Sequence, residues 1–307
     1  MSWRIVAITN PAVISLKNKQ LCIKQDEEIT LPIEDIDTLL IDSYGVQMSA
    51  NILVALSEQG VVTIICDEKH LPSTLILSHE PHSRQLKVIQ AQLAASDPFK
   101  KRIWQKIVQV KIENQAEVLH ALGKGNQEVS SLIKAVQSGD VTNREAYAAR
   151  LYFMSFFESG NRSTPSKINA GMNYAYAIVR GAIARHLVSY GFITSIGIHH
   201  KSELNNFNLA DDLIEPFRPI IDLFVFTILE ECKTEAEELT KEERMKLLDI
   251  LNYSCSIDER RHTLQNAIEL FVKMYSSTVQ EKDLSRSVFP YVVDNYVKKN
   301  YENDGHV

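Results

Sequence analysis

The chain has 307 residues, of which 45% are hydrophobic and 23% are charged, with a formal net charge of -6. This composition is typical of globular proteins and excludes the disordered, collagen-like and coiled-coil classes. The chain is also long enough to form two hydrophobic cores. No apolar run reaches the roughly 18–20 residues of a membrane span, and the N-terminus lacks the regions of a signal peptide, so we expect a cytoplasmic protein without membrane contact. The four cysteines show no C-x-x-C spacing, which argues against a disulfide framework or a thiolate zinc site.

Short predicted strands, separated by turn-forming residues, fill the first part of the sequence. The strand predictions cover residues 3–9, 12–18, 19–25, 27–33, 36–42, 61–67 and 73–78. One helix is predicted at residues 49–60, because the segment begins at a serine of the capping type and ends at a glycine. Alternating and continuously apolar strands together favour a two-layer packing, which is compatible with a β-sandwich.

The apolar pattern changes to a helical period after the predicted strands. Residues 78–84 are polar, contain a proline and mark this change, as a linker does. A long helix is predicted at about residues 170–190, where alanines permit close helix packing. The expected fold class is therefore α+β, with a small N-terminal β-sandwich domain at residues 1–80 and a larger all-α domain at residues 81–307.

The net charge is unevenly distributed along the chain. Residues 1–80 carry a net charge of -6, residues 81–200 carry +8 and residues 201–307 carry -8. The cationic middle segment points to a polyanion such as nucleic acid, while helix faces that simply carry solvated Lys and Arg are the alternative. The candidates for DNA phosphate contacts are Lys100, Lys101, Arg102, Arg162, Lys167 and Arg218.

Glu145 is the first candidate for chemistry. It lies near the start of a predicted helix whose alanines leave room for a ligand. However, Thr142 and Glu145 also have the spacing of a capping box, in which the glutamate bonds back to the helix start and has no catalytic role. The sequence of this segment leaves both interpretations open.

The segment at residues 195–222 is dense in side chains that bind metals. Asp212 and Glu215 are three residues apart on a predicted helix and therefore share one face. Two neighbouring carboxylates favour a bound cation, and His199 or His200 could supply a nitrogen ligand. Such a mixed donor set suits a hard divalent cation better than zinc, whereas a solvated acidic helix start beside a loop is the alternative.

The helix in this segment has a predicted start and a predicted bend. Asn208 is a residue of the capping type. Pro216 and Pro219 have no backbone N–H, so the helix should bend directly after Glu215. A bend exposes backbone carbonyl groups, and this cost calls for a structural or functional reason.

Four motifs carry a family resemblance. They are REAYAARLYF at residues 144–153, MNYAYAIVR at 172–180, GIHHKSELNNFN at 197–208 and NLADDLIEPFRP at 208–219. In this order, they make the chain resemble the CRISPR-associated spacer-acquisition integrases, particularly the type II branch. The resemblance runs through the whole chain, because the opening MSWRIVAIT is similar to that family's N-terminal β domain and the later part is similar to its helical catalytic domain.

The resemblance implies a set of metal ligands and partners. One Mg²⁺ or Mn²⁺ ion would be held by Glu145, His200 and Glu215, with Asp212 as the adjacent acidic position. Much of the family has aspartate where Glu215 stands, and His200 is preferred to His199 from its distance to the acidic pair. Homodimers would be joined on double-stranded DNA by a small CRISPR-associated partner protein that bridges two dimers.

The implied reaction is a transesterification in CRISPR adaptation, a form of antiviral defence. The 3′-hydroxyl of a captured DNA fragment would attack a phosphodiester of the CRISPR repeat. A general metal-dependent endonuclease with the same ligands, in which water attacks, is one alternative. A noncatalytic DNA-binding scaffold, in which Glu145 is only a helix cap, is the other.

Overall fold

The structure is a computed structural model that describes residues 4–78, 84–155, 157, 166–230 and 238–293. Strands occupy its first part, as predicted. They are β1 (Arg4–Ile8), β2 (Ala12–Lys17), β3 (Gln20–Lys24), β4 (Glu28–Pro32), β5 (Ile36–Ile41), β6 (Val46–Gln47), β7 (Val62–Cys66) and β8 (Pro72–Ile76). Helix α1 (Ala50–Glu58) lies between β6 and β7. The seven predicted strands and this helix are confirmed, and the two-residue β6 is an addition.

The strands form two four-stranded sheets. The first sheet has the order β1-β5-β7-β8, with β1, β5 and β7 parallel and β8 antiparallel to β7. The second sheet has the order β4-β3-β2-β6 and is antiparallel except for the β2–β6 pair. Both sheets and α1 contribute side chains to one apolar cluster. This packing is consistent with two layers, and the sandwich remains an interpretation.

Helices dominate the rest of the chain. They are α2 (Gln85–Leu93), α3 (Asp97–Ala121), α4 (Gln127–Ser131), α5 (Arg144–Met154), α6 (Lys167–Ser189), α7 (Asn208–Ile214), α8 (Arg218–Glu230), α9 (Lys241–Leu247) and α10 (Leu264–Glu281). The α+β class is confirmed, and α6 confirms the helix predicted at about residues 170–190. None of the helices in the part of the chain described here combines the length and apolar composition of a membrane span.

The prediction that residues 81–307 are all-α is wrong. A small antiparallel sheet there has the order β10-β9-β11, formed by β9 (Ser254–Ile257), β10 (Arg260–Thr263) and β11 (Pro290–Tyr291). Asp258 and Glu259 join β9 to β10 with φ angles of 52° and 59°, which is the left-handed backbone of a tight hairpin. The sequence gives no Asn-Gly or Asp-Gly signal at this turn, so the hairpin escaped prediction.

The helices and the first sheet share one large core. Leu40 of β5 and Ile64 of β7 belong to the same apolar cluster as most of the buried helical residues. Helix α6 approaches its neighbours closely, because a Cβ added at Gly171 would lie 2.6 Å from Leu229 of α8. Strand β5 is buried along its whole length between these layers. The domain division at residue 80 stays a prediction.

Candidate active site

Glu145 is not held in a capping box. The Asp140 carboxylate instead accepts hydrogen bonds from the backbone N–H groups of Arg144 and Glu145, each at 2.9 Å. The residue before α5 is Asn143, which has left-handed backbone with φ 50°. Because Asp140 satisfies the start of α5, the Glu145 side chain is available for contacts elsewhere, and the capping interpretation is wrong.

Lys111 of α3 connects Glu145 to Glu215. Its Nζ contacts a carboxylate oxygen of Glu145 and a carboxylate oxygen of Glu215, and only 8% of its side chain is exposed. Burial alone would lower the pKa of Lys111, but the two neighbouring carboxylates raise it above its ordinary value. The two acids therefore converge on one positively charged nitrogen, although 70 residues separate them in the sequence.

Glu215 lies at the predicted bend. A 3-10 turn at Glu215–Phe217 separates α7 from α8, and Asn114 of α3 donates a hydrogen bond of 2.8 Å to the Pro216 carbonyl that the bend exposes. Arg218 Nε donates to Glu215 Oε1 at 2.8 Å. Burial raises the pKa of Glu215, but Arg218 and Lys111 outweigh it and lower that pKa below the ordinary value. The α-helical pattern is therefore interrupted where the bend was predicted, and Glu215 is held as a carboxylate.

The histidine loop is fixed by Asp212. This fully buried carboxylate accepts hydrogen bonds from the backbone N–H groups of Ile198, His199 and His200. It also contacts the His200 ring at Nδ1, 2.7 Å away, and this bond and the charge of Asp212 raise the pKa of His200 against the effect of burial. With Nδ1 engaged, Nε2 is the ring nitrogen directed away from Asp212, as in histidines that bind metals.

Gly197 allows the loop to approach Asp212. A Cβ at this position would overlap the His200 carbonyl oxygen and lie 2.8 Å from Asp212 Oδ2. His199 stacks face to face on Trp104 of α3, with ring centroids 4.2 Å apart and an interplanar angle of 1°. His200 meets the same indole edge-on at 5.8 Å. Trp104 therefore packs against the rings of both histidines.

Two expectations for this segment need correction. Asp212 is not an open metal ligand beside Glu215, because both of its oxygens are used by the histidine loop. Asn208 is not the helix cap, since Phe207 precedes α7. The Asn208 side chain instead donates to the carbonyl groups of Ser195 and Ser202 and closes the loop internally. Helical spacing identified these polar residues but not the loop that folds back onto them.

The DNA-contact candidates are divided between the surface and the interior. Lys101 and Arg102 are exposed on α3, and Lys100 is half-buried beside them. Arg162 lies outside the described residues. The expectation for Lys167 is wrong, because it is buried in an ion pair with Glu243 at 3.0 Å and was placed on the surface only by its charge. Arg218 is engaged within the protein as well, because it forms an ion pair with Glu215 and its guanidinium lies over the ring of Tyr176.

The sequence analysis missed Lys111, Trp104 and Asp140. Lys111 has a recognisable signal, because it is the one charge at residues 107–112, where four of the other five residues are apolar. A lone cation within such a run is buried only when acids pair with it. The identity of those acids depends on tertiary contacts across 34 and 104 residues and was not accessible from local spacing.

The donor set fits a divalent cation in its chemistry. Within the described ranges, no three His, Cys, Asp or Glu side chains are grouped tightly enough to form a metal site. Two of the predicted ligands, Glu145 and Glu215, nevertheless converge on one cationic group, the ammonium of Lys111. His200 is oriented by a carboxylate behind it. Oxygen donors with one imidazole suit Mg²⁺ or Mn²⁺.

Solved structures define the class of fold. A casposase bound to an integration product aligns with a TM-score of 0.77 over 99% of this chain and 96% of that chain, at 20% identity. A Cas1 protein from Thermotoga maritima aligns with a TM-score of 0.75 over 90% of this chain and 97% of that chain, at 13% identity. The fold is therefore one shared by Cas1 proteins and a casposase.

Sequence comparison identifies the family. The family model for CRISPR associated protein Cas1 matches residues 5–252. The CRISPR-associated endonuclease Cas1 of Neisseria meningitidis serogroup C (strain 8013) is 39% identical over 297 residues, which is 95% of this chain and 97% of that protein. A Cas1 endonuclease of Pyrobaculum aerophilum is 26% identical over 70% of this chain and 79% of its own length. The chain belongs to the Cas1 family, and the resemblance seen in its motifs is confirmed.

Proposed function

We propose that the protein is a metal-dependent DNA integrase that inserts captured fragments into a CRISPR array. The observation that carries this proposal is the convergence of Glu145 and Glu215 on one buried cationic position. His200 is fixed by Asp212, and the charge of Glu215 helps to raise its pKa. Glu145, Glu215 and His200 would hold one Mg²⁺ or Mn²⁺ ion. Membership of the Cas1 family and the fold shared with a casposase bound to an integration product support the same reaction class.

The proposed reaction exchanges one phosphodiester bond for another. The 3′-hydroxyl oxygen of the fragment attacks the repeat phosphorus, a new P–O bond forms, and the bond to the departing 3′-oxygen breaks. The attacking hydroxyl loses its proton, and the departing oxygen gains one. A bound divalent cation would supply charge stabilisation on the phosphoryl oxygens and lower the pKa of the hydroxyl. Arg218 keeps the Glu215 carboxylate ionised and oriented.

The proposed partners are double-stranded DNA, a second copy of the chain and a small bridging protein. Residues 81–200 carry the positive net charge, and Lys101 and Arg102 are exposed near the start of α3. In a complex described as Cas6-RT-Cas1--Cas2, 35% of one chain aligns with 92% of this chain, with a TM-score of 0.71 at 19% identity. The homodimer, bridged by the small partner into a larger assembly, belongs to the type II arrangement that the motifs suggest.

Hydrolysis is the second candidate function, because the 39% identical relative is named an endonuclease. The same ligands would serve, with water in place of the 3′-hydroxyl. Analysis of the reaction products separates the two functions. Integration covalently joins two DNA molecules, whereas hydrolysis only shortens one.

The proposal is tested with a labelled fragment, a repeat-containing plasmid and either Mg²⁺ or Mn²⁺. We expect the wild-type protein to join the DNAs and Glu145→Gln to lose joining by about 10²-fold or more, because the amide keeps the shape but not the charge. Glu242→Gln is the matched control, since Glu242 is exposed on α9 and should join like the wild type. An active Glu145→Gln protein would remove Glu145 from the metal site, and shortened products without joined ones would favour the endonuclease.

A further inference from the structure

Lys111 is a buried cation that contacts two of the proposed ligands, and it lies outside the four motifs that carry the family resemblance. It lies on α3 between the buried residues Val110 and Ile112. A charge in such surroundings is costly unless it is paired. Its partners are Glu145 and Glu215, the two carboxylates assigned to the metal under the proposed function.

The groups in direct contact are already balanced in charge. Lys111 contacts Glu145 and Glu215, and Arg218 contacts Glu215, so two positive charges meet two negative charges. A divalent cation placed on the two carboxylates would therefore leave a surplus of positive charge in a largely buried position. Such a surplus opposes cation binding in an environment that screens charge poorly.

A DNA phosphate can remove this surplus. Phosphates carry negative charge and attract both metal ions and cationic side chains. Glu145 is the more open member of the acid pair, with 27% of its side chain exposed compared with 6% for Glu215. Ligands would therefore enter from the side of Glu145.

We propose that Lys111 is a positioning residue that holds Glu145 and Glu215 together in the metal-free protein and makes stable metal binding depend on DNA. This inference rests on the proposed function, because it takes the two glutamates as metal ligands. In the absence of DNA, the ammonium serves as the cation of the acid pair. When DNA is present, its phosphates compensate the added charge of the metal. The site therefore holds a metal ion stably only when the protein is bound to DNA.

The test is the affinity of the full-length protein for Mn²⁺, measured by calorimetry with and without a short duplex, with the duplex alone as a blank. We expect Lys111→Met to bind Mn²⁺ on the order of tenfold more tightly than the wild type without DNA, because the opposing charge is gone. The gain in affinity that DNA confers should shrink in the same variant. Lys273→Met, at an exposed position of α10, is the control and should match the wild type.

Unchanged or weaker Mn²⁺ binding by folded Lys111→Met in the absence of DNA would overturn the inference. If the wild type still binds Mn²⁺ with DNA and joins DNA, the proposed function survives that result. If the wild type binds no Mn²⁺ with or without DNA, both the inference and the proposed function are contradicted. If Lys111→Met does not fold in metal-free buffer, the Mn²⁺ affinity is measured on Lys111→Gln instead. In that case, Mn²⁺ should also restore the folding of Lys111→Met, because the metal would substitute for the missing cation. Failure of Mn²⁺ to do so also overturns the inference.

Discussion

The Asp212 carboxylate determines where the two histidines point. Three consecutive backbone amides and the His200 ring all bond to it, so the loop has one way to fold around this buried charge. His199 is turned onto Trp104, while His200 keeps its ring against Asp212. Adjacent histidines therefore have different surroundings, and substitutions of the two should have different consequences.

We expect His200→Ala to lose metal-dependent joining and His199→Ala to retain most of it. His200 has the carboxylate support and exposed ring of a metal-binding residue, with 43% of the side chain exposed. His199 stacks on Trp104 and is not one of the proposed ligands, so its loss should leave most of the joining activity in place. Joining is measured for both variants across a manganese titration. Full activity of His200→Ala together with loss in His199→Ala would reverse the assignment.

At the scale of single residues, the sequence located the acids and histidines but not their partners. Two of the three predicted ligands, Glu145 and Glu215, share a contact with Lys111, whereas His200 contacts Asp212. The capping box at Glu145 was a plausible local alternative, because spacing cannot show that Asp140 performs the capping. Whether the three residues bind a metal stays a prediction.

Helix α3 is the element that assembles the site. It carries Trp104, which stacks on His199, and Lys111, which contacts both glutamates. One turn further, its buried Asn114 donates to the carbonyl oxygens of Pro216 and Pro290 and accepts from the N–H of Val292. The same helix thus supports the bend after Glu215 and ties β11 to it.

We expect Asn114→Ala to lower the free energy of unfolding by about 2–4 kcal/mol, because two buried carbonyl groups and one N–H lose their partner. Joining should fall as well, since the bend that carries Glu215 loses support. Chemical denaturation measures the change in stability. Asn252→Ala is the control, because Asn252 makes only an exposed contact with Asp249 among the described residues and should change stability by less than about 0.5 kcal/mol. Equal stability of the two variants would contradict this role of Asn114.

At the scale of the whole molecule, the charges divide the chain into one basic segment and two acidic ones. The net charge of residues 81–200 is +8, whereas the segments on either side are acidic. This segment contains α3 and α5, which carry Lys111 and Glu145. A cationic surface beside a phosphoryl-transfer site would place the DNA backbone near the proposed ligands.

DNA binding should therefore weaken steeply with salt, with a slope of about 0.9 per phosphate contact in a plot of log affinity against log salt. Reversing the charges of Lys100, Lys101 and Arg102 should reduce both the affinity and this slope. Reversal of Lys17 and Lys19, in the acidic first segment, is the control and should have little effect. Binding titrations at several salt concentrations measure these values. A flat salt response would contradict a DNA-binding role for the basic segment.

Features of the fold that depend on neighbouring residues were predictable, whereas those that depend on contacts between remote segments were not. Strands bounded by turns, α6 and the bend at Pro216 depend on local pattern and were predicted. The hairpin at residues 254–263 was missed, because Asp258 and Glu259 adopt a left-handed backbone that their identities do not demand. The pairing of Lys111 and Lys167 with distant glutamates was missed for a different reason, since burial of a lysine depends on contacts between remote segments.

The most direct test of the metal site is anomalous diffraction from crystals of the protein soaked in manganese together with a short DNA duplex. We predict one strong peak about 2.0–2.2 Å from carboxylate oxygens of Glu145 and Glu215 and from the Nε2 of His200, with Lys111 displaced from at least one glutamate. Glu145→Gln crystals should lack the peak. A protein that joins DNA in solution but shows no manganese at these three side chains, with Lys111 still bonded to both glutamates, would contradict the account.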